Sequence, residues 1–337
     1  MKTNLFSVCI TAVMLLCTST FAQTLVTNMS STNGDVYSVY KDGGSYYLGG
    51  SFTYVGLNTG YAAATKTNND FPNMNFPSVN GNVETIVPDG TGGWYIGGFF
   101  SVVGTTAASN LAHINANNTV DAAFNAACNS RVRTIARVAT RLYIGGDFTT
   151  VNGTSRLYAA AVNANTGAVV LAWNPAPNYS VYSIAPVFGT DTTLWLGGSF
   201  SAINSTVNRP YLAKVNSSNG NTISGSVSAN STVYKLLARG DSVFVGGSYT
   251  RLGLRTDYLG SITTGSGNAD QSMPVANGQI RSISPDGTGG WYVAGFFTQI
   301  GGVSRSYVAR LNPDKTVNVS FNVTSNSYVY SLALDGN

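Results

Sequence analysis

Apolar residues along this chain come in short runs of five or six, separated by turns rich in glycine, asparagine and aspartate. They do not keep the three-and-four spacing of an amphipathic helix. The stretch from Val83 shows the pattern. Val83–Val87 (VETIV) closes on Pro-Asp-Gly-Thr-Gly-Gly, whose Asp-Gly and Gly-Gly pairs mark a hairpin loop. Gly93–Phe100 returns with the aromatic and branched residues that strands favour. Leu111–Asn115 reads as a third strand and Val120–Phe124 as a fourth. The pattern predicts strands alone, with no helix beyond the first 22 residues.

The same pattern then recurs. A glycine pair flanked by aromatic and aliphatic residues appears in YYLGGSF, WYIGGFF, LYIGGDF, LWLGGSF, VFVGGSY and WYVAGFF. Its second position falls at Gly50, Gly98, Gly146, Gly198, Gly247 and Gly295, so the period is 48 to 52 residues. An apolar strand precedes each pair, starting near Val36, Val83, Val132, Val181, Val233 and Ile280. A seventh copy, VYSLALDGN, starts at Val329 and stops before its glycine motif. Four antiparallel strands repeated at this period, without helices, predict an all-β β-propeller of four-stranded blades. Six units are complete and a seventh begins, so the ring is expected to need further chain after Asn337, or to crowd onto six blades. The glycines read as architecture, since a strand glycine lets a neighbour approach closely. A phosphate cradle needs a following helix, and none is predicted.

The repeated unit resembles the delta-60 β-propeller repeat of secreted bacterial proteins, most closely from Leu142 to Pro175 (LYIGGDFTTVNGTSRLYAAAVNANTGAVVLAWNP). The resemblance runs from Val36 to Asn337, although the first unit departs from it at YAAATKTNNDFPNMNFP. It implies a propeller in an exported, often surface-associated and multidomain protein. It supplies no catalytic residues.

Export is also expected from the first residues. Lys2, the apolar run Leu5–Leu16 and the small-residue pattern Thr20-Phe21-Ala22 predict a signal peptide over residues 1–22, cleaved after Ala22. A lipid-anchored start at Cys17 is disfavoured by the large Leu16 before it. Nothing later is apolar for long enough to span a membrane. The expected mature chain, 23–337, keeps Cys128 alone of three cysteines and therefore has no internal disulfide. Charged residues make up 9% of the sequence with a net charge of +4, against about 25% charged in ordinary soluble domains. So thin an excess forms no basic stripe, which argues against nucleic acid as a partner.

Candidate chemistry is sparse. The SPDGTGGW stretch at Ser284 only partly resembles the turn boxes of sialidase propellers, and Ala161–Trp173 only partly matches the docking motif of quinone-dependent propellers. Both read as hairpin turns. His113, the sole histidine, reads as structural, and one histidine builds no metal cluster. Glu84 is the only glutamate. No catalytic, metal-binding or cofactor-binding residue is assigned, and no cofactor is expected. Arg156, Arg209 and Arg305 follow their glycine pairs at a common spacing and are the candidate ligand face for acidic glycans or carboxylates. Their alternative role is to tie loops together through carbonyl oxygens. The sequence therefore points to an exported, non-enzymatic binding or scaffold propeller that takes protein or glycan through loops on one face. A carbohydrate-active enzyme built on an inter-blade carboxylate pair is the alternative, and a plain structural spacer the third reading.

Overall fold

The computed structural model describes residues 14–17, 32–42, 45–55, 57–58, 60–66, 73, 75–187, 193–204, 206–223, 227–255, 257–264, 267–270 and 272–335. All the regular structure among them is strand. Each unit opens on an inner strand: Val36–Asp42, Asn82–Pro88, Val132–Val138, Val181–Pro186, Val233–Arg239 and Ile280–Pro285. This strand pairs antiparallel with the glycine-pair strand, which in turn pairs with a third strand. In the third unit the order is Val132–Val138, Arg141–Gly146, Ala159–Asn163.

The outer edge is thinner than the four strands expected. Val120–Phe124 does not form a strand; Val120 alone bridges Ile114. Single bridges also stand at Val162↔Val169, Val215↔Thr222 and Leu311↔Val317, and only Ala269–Asp270 pairs as two residues. The outer edge has a neighbour on one side only, and short edges limit unwanted pairing with other chains. A feature the sequence pattern did not announce lies between second and third strands. There every unit inserts a two-by-two hairpin, such as Thr150–Val151 against Thr154–Ser155.

Recurring side chains hold that hairpin. In the third unit the Asn129 side-chain oxygen accepts the backbone N–H groups of Thr149 and Thr150, while its Nδ2 donates to the Thr149 hydroxyl. Asn33, Asn80, Asn178, Asn230 and Asn277 repeat the arrangement with Thr53, Ser101, Ser201, Thr250 and Thr298. This explains the Ser or Thr after the aromatic residue of each motif, and that aromatic ring (Phe148 in this unit) is itself buried.

The core lies between sheets. One cluster joins Tyr95 and Leu111 to Ile135, Leu142 and Ile144 of the following unit, and another joins Tyr143 and Ala161 to Ile184 and Leu196. Both faces of each sheet are covered, which is why the central strands read as continuous apolar runs rather than alternating ones. The inner strands lie side by side in chain order, and Leu332–Asp335 touches both Ile280–Pro285 and Val36–Asp42. Tyr330 meets Tyr37 edge to face at 6.2 Å across that junction. The expected signal peptide lies outside the described residues except for Met14–Cys17. That segment pairs in parallel with Leu332–Asp335, whereas the other described strand pairs are antiparallel.

Hydroxyls couple neighbouring inner strands. Ser38, Ser183 and Ser282 accept the backbone N–H of Ile86, Leu236 and Leu332 at 3.2, 3.0 and 3.1 Å. Replacing Ser183 with alanine strands the buried Leu236 N–H, and the expected loss is about 1–3 kcal/mol of unfolding free energy. A denaturant titration checks this against the exposed control Ser155→Ala; equal midpoints would remove the coupling role.

Candidate functional site

The inner ends of the sheets carry a recurrent set of aromatic and charged side chains. Each inner strand meets the second glycine at or next to its first residue, as in Val132↔Gly146, and then slips, so that Thr134 faces Gly145. The skipped residue is a β-bulge, whose side chain is re-aimed out of the pleat. The bulged positions are Tyr37, Glu84, Arg133, Tyr182, Tyr234 and Arg281. With Tyr330 they line one cavity of about 380 Å³ at the mouth of the central channel, joined there by Lys235.

Consecutive members touch. The Arg133 guanidinium lies over the Tyr182 ring at 4.9 Å, Tyr182 packs on Tyr234 at 5.6 Å, and Arg281 lies over Tyr234 at 3.8 Å. Arg133 gives two 2.8 Å hydrogen bonds to the Asp147 carboxylate. Burial opposes ionisation of Asp147, but the bonds from Arg133 and Ser180 outweigh it and its pKa falls below the usual range. Glu84 behaves oppositely: burial raises its pKa despite Arg131, whose Nη1 lies 3.3 Å from Oε1. Lys235, open to the lumen but walled in by the ring, is pushed below the usual lysine range by desolvation.

The arginines singled out from sequence lie elsewhere. Arg156 and Arg305 are buried and donate to carbonyl oxygens of their own units: Ser155 and Leu171 for the first, Ser304 and Val319 for the second. Arg209 donates to the Asn208 carbonyl at 3.1 Å. None of the three lines the central mouth. The ring itself was missed because its identities vary (Tyr, Glu or Arg), and only their shared offset from Val or Ile offered a signal.

His113 sits in a bracket of two carboxylates. Its Nε2 and Nδ1 lie 3.0 and 2.9 Å from Asp89 Oδ2 and Asp121 Oδ2, and its ring stacks on Tyr95 at 4.5 Å. In the sixth unit Arg310 makes the corresponding bonds to Asp286. Burial would raise Asp89, yet hydrogen bonds from Thr91, His113 and Gly93 bring its pKa down to about 2 from 3.8. A lowered carboxylate pKa stabilises the fold above the unfolded value and loses that contribution as pH falls through the folded one. Stability is therefore expected to drop between about pH 4 and pH 2, less steeply in Asp89→Asn, as followed by near-ultraviolet circular dichroism. An unchanged slope would mean that the bracket is electrostatically idle. Asn163, in the stretch that partly matches the quinone docking motif, accepts the N–H groups of Asn165 and Thr166 and so makes a turn. The Cys128 thiol is free and buried, and desolvation pushes its pKa up.

Comparison with known proteins establishes the class. Residues 285–321 match a family described as "Domain of unknown function (DUF5122) beta-propeller". No curated protein matches the sequence. Among solved structures, the WD40 β-propeller domain of Doa1 is similar at a TM-score of 0.62 with 11% identity, over 90% of this chain and 87% of that one. The computationally designed Ika8 protein gives 0.60 at 10% identity over 97% and 91%. The extracellular domain of the hybrid two component system BT4673 from B. thetaiotaomicron gives 0.56 at 16% identity, over 91% of this chain and 36% of that one. At these identities the likeness shows the fold, and the fold is a β-propeller. Among the described residues no helix is long and apolar enough to cross a membrane.

Proposed function

We propose that this protein is an exported, non-enzymatic binding or scaffold propeller of the delta-60 type, with seven blade positions and its ligand seat at the central mouth. The observation that carries this reading is the ring of side chains at the bulge position of successive units, aromatic or charged in each, gathered around one cavity. A purely structural spacer has no need to place four tyrosines, two arginines and a glutamate at one repeat position, whereas a ligand seat draws specificity from such a mixture of aromatic and charged groups. Export rests on the signal-peptide pattern of residues 1–22, and the likeness to the extracellular domain of BT4673 is consistent with it. The ligand is protein or glycan, no cofactor is used, and further domains after Asn337 would suit a surface protein.

One observation favours the carbohydrate-active alternative. Glu84 and Asp147, both near the mouth, have pKa values displaced in opposite directions, as an acid and base pair requires. Each is nevertheless engaged by an arginine, through an ion pair at Glu84 and a two-pronged hydrogen bond at Asp147. The test is to probe the mature chain against glycan and protein arrays while assaying reducing-sugar release. Saturable binding without release is expected. Release that disappears in Glu84→Gln would replace this reading with an enzyme.

A further inference from the structure

The mouth is electrically lopsided. On the side of the second and third units every charge has an answer, Arg133 with Asp147 and Glu84 with Arg131. On the side of the fifth and sixth units two cations, Lys235 and Arg281, have no carboxylate partner among the described residues. Lys235 stands where three other units place Ser38, Ser183 and Ser282 to couple the strands. Its ammonium makes no hydrogen bond or ion pair among the described residues. Arg281 donates from Nη2 to the Gln279 side-chain oxygen at 2.9 Å, and its Nε is buried without an acceptor. The guanidinium is nonetheless held in place, 3.8 Å from the Tyr234 centroid and 4.7 Å from that of Phe296.

Lys235 opens onto the cavity and the Arg281 Nε is buried without an acceptor, so an anion bound there would gain charge-assisted hydrogen bonds from both. A stacked guanidinium is also pre-organised, so less side-chain freedom is lost when a ligand binds. Spherical anions need no aromatic wall, yet Tyr234, Tyr330, Tyr37 and Tyr182 supply one. Their ring faces suit the C–H face of a sugar, and their hydroxyl tips suit its alcohols. The cavity of about 380 Å³ is near the lower end of ligand-pocket sizes, enough for one or two sugar units. Resting on the binding reading above, the geometry points to a specific ligand class: the carboxylate of a hexuronic acid, as in an acidic glycan, held between Lys235 and Arg281 with its sugar ring against the tyrosines that line the cavity.

The experiment is calorimetric titration of the mature chain with D-glucuronate and D-galacturonate, using glucose, acetate and inorganic phosphate as controls. A uronate is expected to bind with a dissociation constant on the order of 1 mM or tighter, and the controls at least tenfold more weakly. Arg281→Gln and Lys235→Ser are each expected to weaken uronate binding tenfold or more. The second variant installs the serine that other units use at this place, so it is expected to fold, and an unchanged thermal midpoint confirms that the loss is local. Acetate or phosphate binding as tightly as uronate would overturn the sugar assignment. No saturable uronate binding would overturn the whole inference. If the arrays nevertheless yield a ligand indifferent to both substitutions, the binding function stands and only this site fails; if they yield none, both fail.

Discussion

Gly146→Ala is expected to destabilise the protein by about 3–5 kcal/mol, lowering the thermal midpoint by roughly 10 °C. A Cβ at this position would lie 2.1 Å from the Arg131 carbonyl oxygen and 3.0 Å from the Val132 Cα. Both are backbone atoms of the chain entering the bulge, so relief requires moving the inner strand itself. Gly145→Ala is the informative comparison. There the added carbon meets Val181 Cγ1 at 2.6 Å and Thr134 Cγ2 at 2.9 Å, which are side-chain atoms able to give. Its expected cost is the ordinary 1–3 kcal/mol or so of overpacking. The protein already tolerates alanine at the corresponding place in the sixth unit, where Ala294 packs in the cluster with Val329. Calorimetric melting of both variants decides the matter. If Gly146→Ala costs no more than Gly145→Ala, the bulge does not depend on the missing side chain.

Trp173→Ala should cost a similar amount, about 3–5 kcal/mol, because it empties a large fully buried volume. The indole meets Tyr143 edge to face at 5.0 Å within its own unit, and its Nε1–H donates to the Asn216 carbonyl of the next at 3.1 Å. It sits with Val181 and Leu194 in the cluster that joins those units. Trp173→Phe keeps most of the apolar contact and loses the hydrogen bond, with an expected cost of about 1–2 kcal/mol. Chemical denaturation of both variants tests this ordering. A loss under about 1 kcal/mol for alanine would mean that the outer edges of the two sheets are not coupled through this ring.

Much of the fold is legible in the chain because its cause is local and repeated. Strands buried on both faces need continuous apolar runs such as Leu142–Ile144, and the turns between them need Asp-Gly and Asn-Thr-Gly sequences; both are visible residue by residue. The outer strand was overestimated for the same reason. Val120–Phe124 has strand-like composition, but an edge with one neighbour gains little from pairing and keeps a single bridge.

The site was much less legible. Arg156 and Arg305 repeat at a fixed spacing, and that regularity suggested a face of cations. Which carbonyl oxygens stand within reach is set by loops 14 or 15 residues away, and those oxygens occupy the guanidinium groups. Tyr37, Glu84, Arg133, Tyr182, Tyr234 and Arg281 alternate irregularly among tyrosine, glutamate and arginine, and their composition gives no hint of convergence. A bulge is a property of two paired strands, and a ring is a property of all the sheets packed together. Sequence alone thus determined strand order, repeat period and the need for glycine, since these follow from nearest-neighbour sterics and burial. The assembled sheets decided which side chains face one another across the channel and which charges go unanswered, because those relations join residues some 50 to 300 positions apart.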